Sequence, residues 1–274
     1  MDHAKLQSWR PTLVAPAVSS RVAGEILGLD EEETRHVRAL RLAPGAPVRL
    51  TDGAGSLWDA QLRAARGRSV ECVLERPAHP APRLPVNLAF GVGNKGHLMW
   101  LVEKATEMGV SRLQPLESER TRSVADAGRS PAFWNKAERR AVAAMKQSGG
   151  AWLPTIEAPL PVDDYVTRTE GEGTGGGSAA VTLRVRLDGA GPGLLRVIEA
   201  WGSGGQLAMV VGPEGGWSEG EIARFDEAGF RPAALGPLVL RFETAAIAGL
   251  AVVAQQVMLR GGARQDPSSR DAGG

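Results

Sequence analysis

The sequence predicts two folds in series: a small antiparallel β-barrel, then an α/β domain built on a parallel sheet. Three observations carry this. Residues 47–75 alternate apolar and polar, a proline-rich segment follows at 77–85, and strands, glycine turns and helices then succeed one another to residue 262. A period of two marks half-buried strands, whereas strands that alternate with helices need crossovers and so lie parallel. At 274 residues the chain is long enough for two modest domains or one large one.

The first domain, 1–76, opens with the short helix DEEETRHVRAL, where Asp30 and Glu33 stand at capping-box spacing. Val48 and Leu50, then Trp58, Ala60, Leu62 and Ala64, then Val70, Cys72 and Leu74 supply the buried faces of strands, with DGAG and RGR as turns between them. Prolines at 77, 80, 82 and 85 make a stiff, extended linker, which places the domain boundary there.

The second domain, 86–262, starts with the strand VNLAF and the turn GVGNKG. In the helix HLMWLVEKATEMG, Leu98, Leu101, Val102, Ala105 and Met108 share one face and Gly109 ends the run. VSRLQPLES is a second strand. SPAFWNKAERRAVAAMKQSGG is a helix with Ser130 as cap, Pro131 at its first position and Gly149 as stop. AAVTLRVRL, PGLLRVIEAWG, QLAMVVG and SEGEIARFDEAG continue as strand, helix, strand and helix, the last with a Ser218–Glu221 capping box. AALG is a short strand and ETAAIAGLAVVAQQVMLR the final helix. EGEGTGGGS, 170–178, reads as a flexible loop, and residues 263–274 as a disordered tail.

Composition narrows the function. The apolar fraction of 43% and charged fraction of 23% are those of an ordinary soluble protein. With a net charge of +1, any nucleic-acid contact needs a local basic patch. Cys72 is the single cysteine, so an intramolecular disulfide and a cysteine-rich zinc site are excluded. The histidines at 3, 36, 79 and 97 have no metal-ligand spacing, and no metal is expected. MDHAKLQSW lacks the apolar core of a signal peptide, and the run 245–254 is about half a membrane span. The expectation is a cytoplasmic protein with no membrane partner.

Two glycine turns then compete for a cofactor. Gly91-x-Gly93-x-x-Gly96 follows a strand, opens a helix and has Glu117 about 20 residues further on, which fits a dinucleotide fingerprint by letter. A nicotinamide-dependent oxidoreductase is therefore one reading; a tight strand-to-helix turn in a chain with 35 glycines is the plainer one. The second turn, VVGPEGGWSEGEI (210–222), carries Glu214. A helix N-terminus favours anions, yet a carboxylate in the turn repels phosphate, so this loop suits a ligand without phosphate or with positive charge. S-adenosylmethionine, a sulfonium joined to adenosine, is such a ligand. A third stretch, LGPLVLRFETAAIAGL (235–250), sets an apolar loop before Arg241, Glu243 and Thr244. The small residues of its helix permit close packing against another element, such as a second subunit.

GPEGGWSEGEI followed by LGPLVLRFETAA resembles the 16S ribosomal RNA uridine-N3 methyltransferases of the SPOUT class. KATEMGVSRLQPLESERT, AMKQSG, RHVRALRLAPGAPVRLTDGAG and Trp9-Arg10 extend the resemblance over nearly the whole chain. It implies a PUA-like, OB-like β-barrel before a trefoil-knot methyltransferase domain with a parallel sheet, S-adenosylmethionine as cofactor, and a homodimer. By motif, the implied cofactor residues are Leu183, Gly212, Pro213, Glu214, Gly215, Gly216, Leu235, Gly236, Leu240, Arg241, Thr244 and Ala245. TLRVRLDGAG departs from the family around Leu183, and Phe242 stands where a small polar residue is common.

Methylation at uracil N3 needs removal of its proton, in-line placement of the methyl group, and exposure of the pairing edge of the base. The resemblance makes Glu243 the candidate general base, with Arg241 or Arg122 stabilising the uracil anion. A structural Arg241–Glu243 pair is the competing reading. For RNA contact it points to Lys136, Arg139, Arg140, Lys146 and Gln147 along one helix, to Lys95, Arg120 and Arg122 near the strands, and to Arg10, Arg38 and Arg41 in the barrel. A solvated helix face is the commoner meaning of such a stripe. The implied partner is 16S ribosomal RNA of the small ribosomal subunit. A nonenzymatic RNA-binding protein is the alternative from a different class.

Overall fold

The computed structural model describes residues 10–63, 69–121, 130–171, 181–199, 201 and 205–262. The chain divides into two compact units, one of Met1–Pro82 with Ala141–Leu153 and one of Arg83–Arg140 with Pro154–Gly274.

The first unit holds β1 (Thr12–Val14), β2 (Ile26–Gly28), α1 (Glu31–Ala39), β3 (Pro47–Thr51), β4 (Leu57–Leu62) and β5 (Glu71–Pro77). The strands lie in the order β1-β3-β4-β5-β2. All pairs are antiparallel except β1 with β3. Alternation along each strand sends every second residue inward. Leu13, Leu27, Leu50, Trp58, Cys72 and Leu74 from all five strands thus meet in one buried cluster, the packing expected of a small barrel. Burial pushes the Cys72 thiol up to about 12, so it behaves as a core residue. β1 and β2 escape a sequence reading because three residues are too few to show a period.

Only half of the expected capping box at α1 forms. The Asp30 side chain accepts from the Glu33 amide at 2.8 Å. The Glu33 side chain does not return to the cap. It is buried and bonded to Lys146 Nζ, which the chain brings to this unit from far along the sequence. Lys146 is itself buried at 8% exposure, so its ammonium is spent on Glu33 rather than presented on a basic stripe. The Lys146 charge also lowers the His36 pKa, second to the effect of burial.

The second unit contains β6 (Leu84–Gly91), α2 (Lys95–Glu107), β7 (Val110–Glu117), α3 (Pro131–Ser148, whose last turns belong to the first unit), β8 (Thr155–Ile156), β9 (Leu160–Pro161) and α4 (Val162–Gly171). It continues with β10 (Val181–Leu187), α5 (Leu194–Glu199), β11 (Gln206–Val211), α6 (Glu219–Glu227), β12 (Arg231–Ala233) and α7 (Phe242–Gly262). The sheet runs β12-β10-β11-β6-β7-β8, with β9 also on β7, and every pair is parallel. This is the α/β arrangement that alternating strands and helices require.

The period of two divides the sheet between two helical layers. Ala208 and Val210 join Tyr165 and Val166 of α4 and Phe225 of α6 in one cluster. Met209, between them, points the other way and lies against Gly249 of α7, where an added Cβ would be 3.0 Å from its Sδ. The small residues of α7 therefore serve close packing, though against this unit's own sheet. α4 went unread in the sequence because it sits between Pro161 and a glycine-rich run. Its Val162, Tyr165, Val166 and Thr169 are nonetheless buried at helical spacing. It takes in the first two residues of the expected loop 170–178; residues 172–178 and the expected tail 263–274 lie outside the described residues. Among the described helices, Phe242–Arg260 is long and apolar enough to cross a membrane by length and composition. Here it packs on α2, α5 and the sheet, with a third of its apolar window buried.

Removing one partner of a buried ion pair strands the other charge, at roughly 3–5 kcal/mol. Lys146→Ala should lower stability by about that much in urea unfolding. The apolar double variant Glu33→Leu/Lys146→Met should recover most of the loss. A near-neutral Lys146→Ala would show that Glu33 is solvated.

Candidate functional site

In a parallel sheet all carboxyl ends lie on one side, and the loops that follow them frame a crevice. Here the crevice is a cavity of about 760 Å³. Three loops wall it: Leu187–Gly189 after β10, Gly212–Trp217 after β11, and Leu235–Phe242 between β12 and α7. Gly212, Pro213, Glu214, Gly216, Leu235, Gly236, Leu240, Arg241 and Ala245 all line it.

Three of the expected cofactor residues sit elsewhere. Thr244 is exposed on the first turn of α7. Gly215 faces away from the cavity lining, and its carbonyl accepts from Arg120 Nη1 at 2.6 Å. Leu183 is buried early in β10, beside Leu207, and the strand reaches the cavity only at Arg186 and Leu187. Sequence reasoning missed Arg186–Gly189, although the carboxyl-end rule, applied to the end of that strand, points there. Arg186 is buried and bonded to Asp188 and to Asp226.

The Gly212–Trp217 loop is built from both ends. Gly216 has φ +68, in the left-handed region open to glycine, and its amide donates to the Pro213 carbonyl at 2.8 Å. Ser218 and Glu221 form the full capping box that starts α6. Glu221 Oε1 also accepts from the Glu119 amide, so the segment after β7 is tied to the same turn. Trp217 lines the cavity with its Nε1 buried and unbonded.

The two glycine turns turn out to be one structure. A Cβ on Gly91 would lie 2.4 Å from Pro213 Cδ and 2.6 Å from its backbone nitrogen. A Cβ on Gly93 would lie 2.3 Å from Glu214 Oε2. The glycines of GVGNKG admit the GPEGG turn rather than a pyrophosphate. Glu214 Oε1 accepts from the Asn94 amide at 3.4 Å and lies 3.3 Å from His97 Nδ1, so a carboxylate already occupies the N-terminus of α2. Phosphate there would meet that negative charge, which disfavours the nicotinamide reading.

Glu243 is 8% exposed, and its Oε2 is buried without a hydrogen bond, 3.9 Å from His97 Nδ1. Among the described residues its basic neighbour is His97 rather than Arg241, which is exposed at the cavity rim. Arg122 lies outside the described residues. Of the basic residues expected to meet RNA, Lys95, Lys136 and Arg139 are exposed in the second unit, while Arg140 pairs with Glu103 at 3.1 Å. In the first unit Arg38, Arg41 and Gln147 are exposed, Arg41 at φ +53 just past α1, and Arg10 lies 3.1 Å from Asp59.

Comparison with known proteins gives the family. Residues 79–254 match the family model of an RNA methyltransferase domain, and residues 29–75 that of an RNA methyltransferase PUA domain. The chain is 32% identical over 219 residues to the ribosomal RNA small subunit methyltransferase E of Synechocystis sp., covering 79% of this chain and 68% of that protein. It is 29% identical over 233 residues to the protein of the same name from Mycobacterium bovis, covering 84% and 86%. A ribosomal RNA small subunit methyltransferase E from Neisseria gonorrhoeae, solved bound to S-adenosyl methionine, shares the fold with a TM-score of 0.73 at 22% identity, covering 90% of this chain and 98% of that one.

The contact between the turns is open to test. Gly91→Ala, which meets backbone, should destabilise by roughly 1–3 kcal/mol. Gly93→Ala meets only the end of a side chain, so Glu214→Ala should rescue it. In a double-mutant cycle by urea unfolding the pair should depart from additivity by more than about 0.5 kcal/mol; additive losses would mean that the two turns do not touch.

Proposed function

The chain belongs to the RNA methyltransferase family, and from that premise we propose that it transfers a methyl group from S-adenosylmethionine to N3 of a uridine in 16S ribosomal RNA of the small subunit. The observation that carries this reading is the single cavity in which the loops after β10, β11 and β12 converge, walled by glycine-turn backbone and the apolar run Pro237–Leu240. About 760 Å³ is within the usual range for a small-molecule site.

The residues fit the cofactor. Trp217 and the Leu235–Leu240 loop line the wall, and the glycine-rich loops suit the edge of an adenine. Asp188 is paired with Arg186, which leaves the Glu214 carboxylate to favour a sulfonium or an amino group; Arg241 suits a carboxylate. When bound, S-adenosylmethionine supplies an electrophilic methyl group on a sulfonium. Glu243 is not itself among the cavity-lining residues, but it sits between Phe242 and Ala245, which are, and its buried Oε2 has no hydrogen-bond partner. It is therefore the group to take the N3 proton, with Arg241 at the rim to stabilise the uracil anion.

The homodimer belongs to the same proposal. Trp100 on α2 and Met258 and Leu259 on α7 are 43%, 64% and 70% exposed, and those two helices pack on each other. Large apolar side chains left in water on neighbouring helices favour a second copy as their cover. Ribosomal RNA as the substrate supports a cytoplasmic protein that works with the ribosome.

Titration calorimetry should show binding of S-adenosylmethionine and none of NAD; the reverse would end the proposal. Mass mapping of 16S ribosomal RNA from a deletion strain should lack one methyluridine that the restored gene returns. An unchanged map would favour a nonenzymatic RNA-binding role. Glu243→Gln should cut single-turnover methyl transfer by roughly 10²–10⁴-fold with cofactor affinity retained, and wild-type turnover would exclude it as the base. Met258→Glu should shift sedimentation from dimer to monomer; if Met258→Glu remains dimeric, this helix face is not the interface.

A further inference from the structure

The first unit carries an arginine cluster built on one acid. On β4, Trp58, Ala60 and Leu62 point into the core, so Asp59 between them faces the other side of the sheet, yet it is only 4% exposed. Guanidinium groups cover it. Arg49 is its register partner on β3 and Arg76 its partner on β5, while Arg10 precedes β1. Arg76 bonds Asp59 Oδ2 through Nε at 3.1 Å, with Nη2 at 3.0 Å. Arg10 Nη1 and Arg49 Nε stand 3.1 and 3.5 Å from Oδ1.

These contacts do not use up the cluster. A guanidinium carries about five N–H donors and a carboxylate about four lone-pair sites, so three guanidiniums on one carboxylate leave most donors unmatched. Arg10 Nη1, Arg49 Nε and Asp59 Oδ1 are moreover buried without hydrogen-bond geometry, so the attraction there is one of charge alone. The next acid on this face, Glu75, accepts from neutral Gln61 at 2.6 Å and keeps its own charge at the edge of the cluster. Holding three like charges together is unfavourable in itself, and one carboxylate offsets it only in part. Arg49 and Arg76 side chains are 39% and 74% exposed, so an outside anion can reach them.

We infer that Arg10, Arg49 and Arg76, spread and held by Asp59, form a binding site for a phosphodiester of the RNA backbone on the outer face of β3, β4 and β5. The guanidinium fork matches phosphate oxygens two at a time, and pinning by Asp59 removes the rotamer entropy that a free arginine loses on binding. Asp59 acts as a positioning residue, because it touches the arginines and not the phosphate. The inference rests on the reading that the chain acts on RNA.

Binding of single-stranded oligouridylate and of isolated small ribosomal subunits should be measured against salt, with unfolding midpoints alongside. Arg49→Ala and Arg76→Ala should each weaken binding roughly tenfold, the scale of one charged hydrogen bond, and flatten the log–log salt slope by about 0.7–0.9. Arg49→Lys and Arg76→Lys should weaken binding several-fold with the slope kept. Asp59→Asn is the sharpest arm, since it removes a negative charge from an RNA-facing surface. A simple charge effect would tighten binding and overturn the site, whereas a pre-organised fork predicts weaker binding. If Asp59→Asn does not fold, the two lysine variants decide in its place. Wild-type slope and affinity in the alanine variants would reduce the cluster to a cross-strand ladder while leaving the methyltransferase reading intact. Wild-type protein that binds neither probe in a salt-dependent way would sink the RNA reading itself.

Discussion

The cavity depends on one close approach, that of the Pro213–Glu214 turn to Gly91 and Gly93. Two loops that follow neighbouring parallel strands, β6 and β11, can meet this tightly only if one of them lacks side chains. Once they meet, the Glu214 carboxylate lies at the start of α2, where the exposed amides of a helix N-terminus favour negative charge. That contact fixes where the GPEGG loop stands, and the capping box on Ser218 fixes how α6 leaves it. The remaining walls close around this fixed edge. A cofactor site assembled from backbone needs such rigidity, because backbone donors are useful only where they already point.

Buried charge organises both units in a comparable way. Lys146 on Glu33, Arg186 on Asp188 and Asp226, and three arginines on Asp59 each set a charged head in poorly solvated surroundings beside an opposite charge. Such pairs contribute modest net stability because desolvation opposes the Coulomb gain. They do impose geometry, since the wrong arrangement strands a charge. Arg186 is the clearest case: its two acids come from the loop after β10 and from α6, and it fixes the former where it enters the cavity wall.

α7 joins packing to function. Gly249 and its small neighbours bring the helix within contact distance of Met209 and Leu187. The first turn of the same helix brings Phe242 and Ala245 to the cavity, and the last turns carry the exposed Met258 and Leu259. Hydropathy alone would allow this helix to span a bilayer; its packing on the sheet gives the apolar residues another use.

By itself the sequence determined what local periodicity can carry. The alternating strands of the first unit, the strand–helix succession of the second, the caps at Asp30 and Ser218, and the two motif loops were legible because each is written within a few residues. Three-residue strands and α4, masked by its proline and glycine flanks, were not. Tertiary structure alone decided the partners. Lys146 reads as one more cation on a helix until Glu33 is found beneath it, and Leu183 is implied as a cofactor residue by motif until the strand is seen to meet the cavity only at Arg186 and Leu187. GVGNKG reads as a dinucleotide turn until Pro213 and Glu214 are found filling the space its glycines leave. The reason is common to all three. Periodicity records whether a residue faces inward or outward on its own element, whereas the meaning of a charge or a glycine depends on what a distant part of the chain places against it.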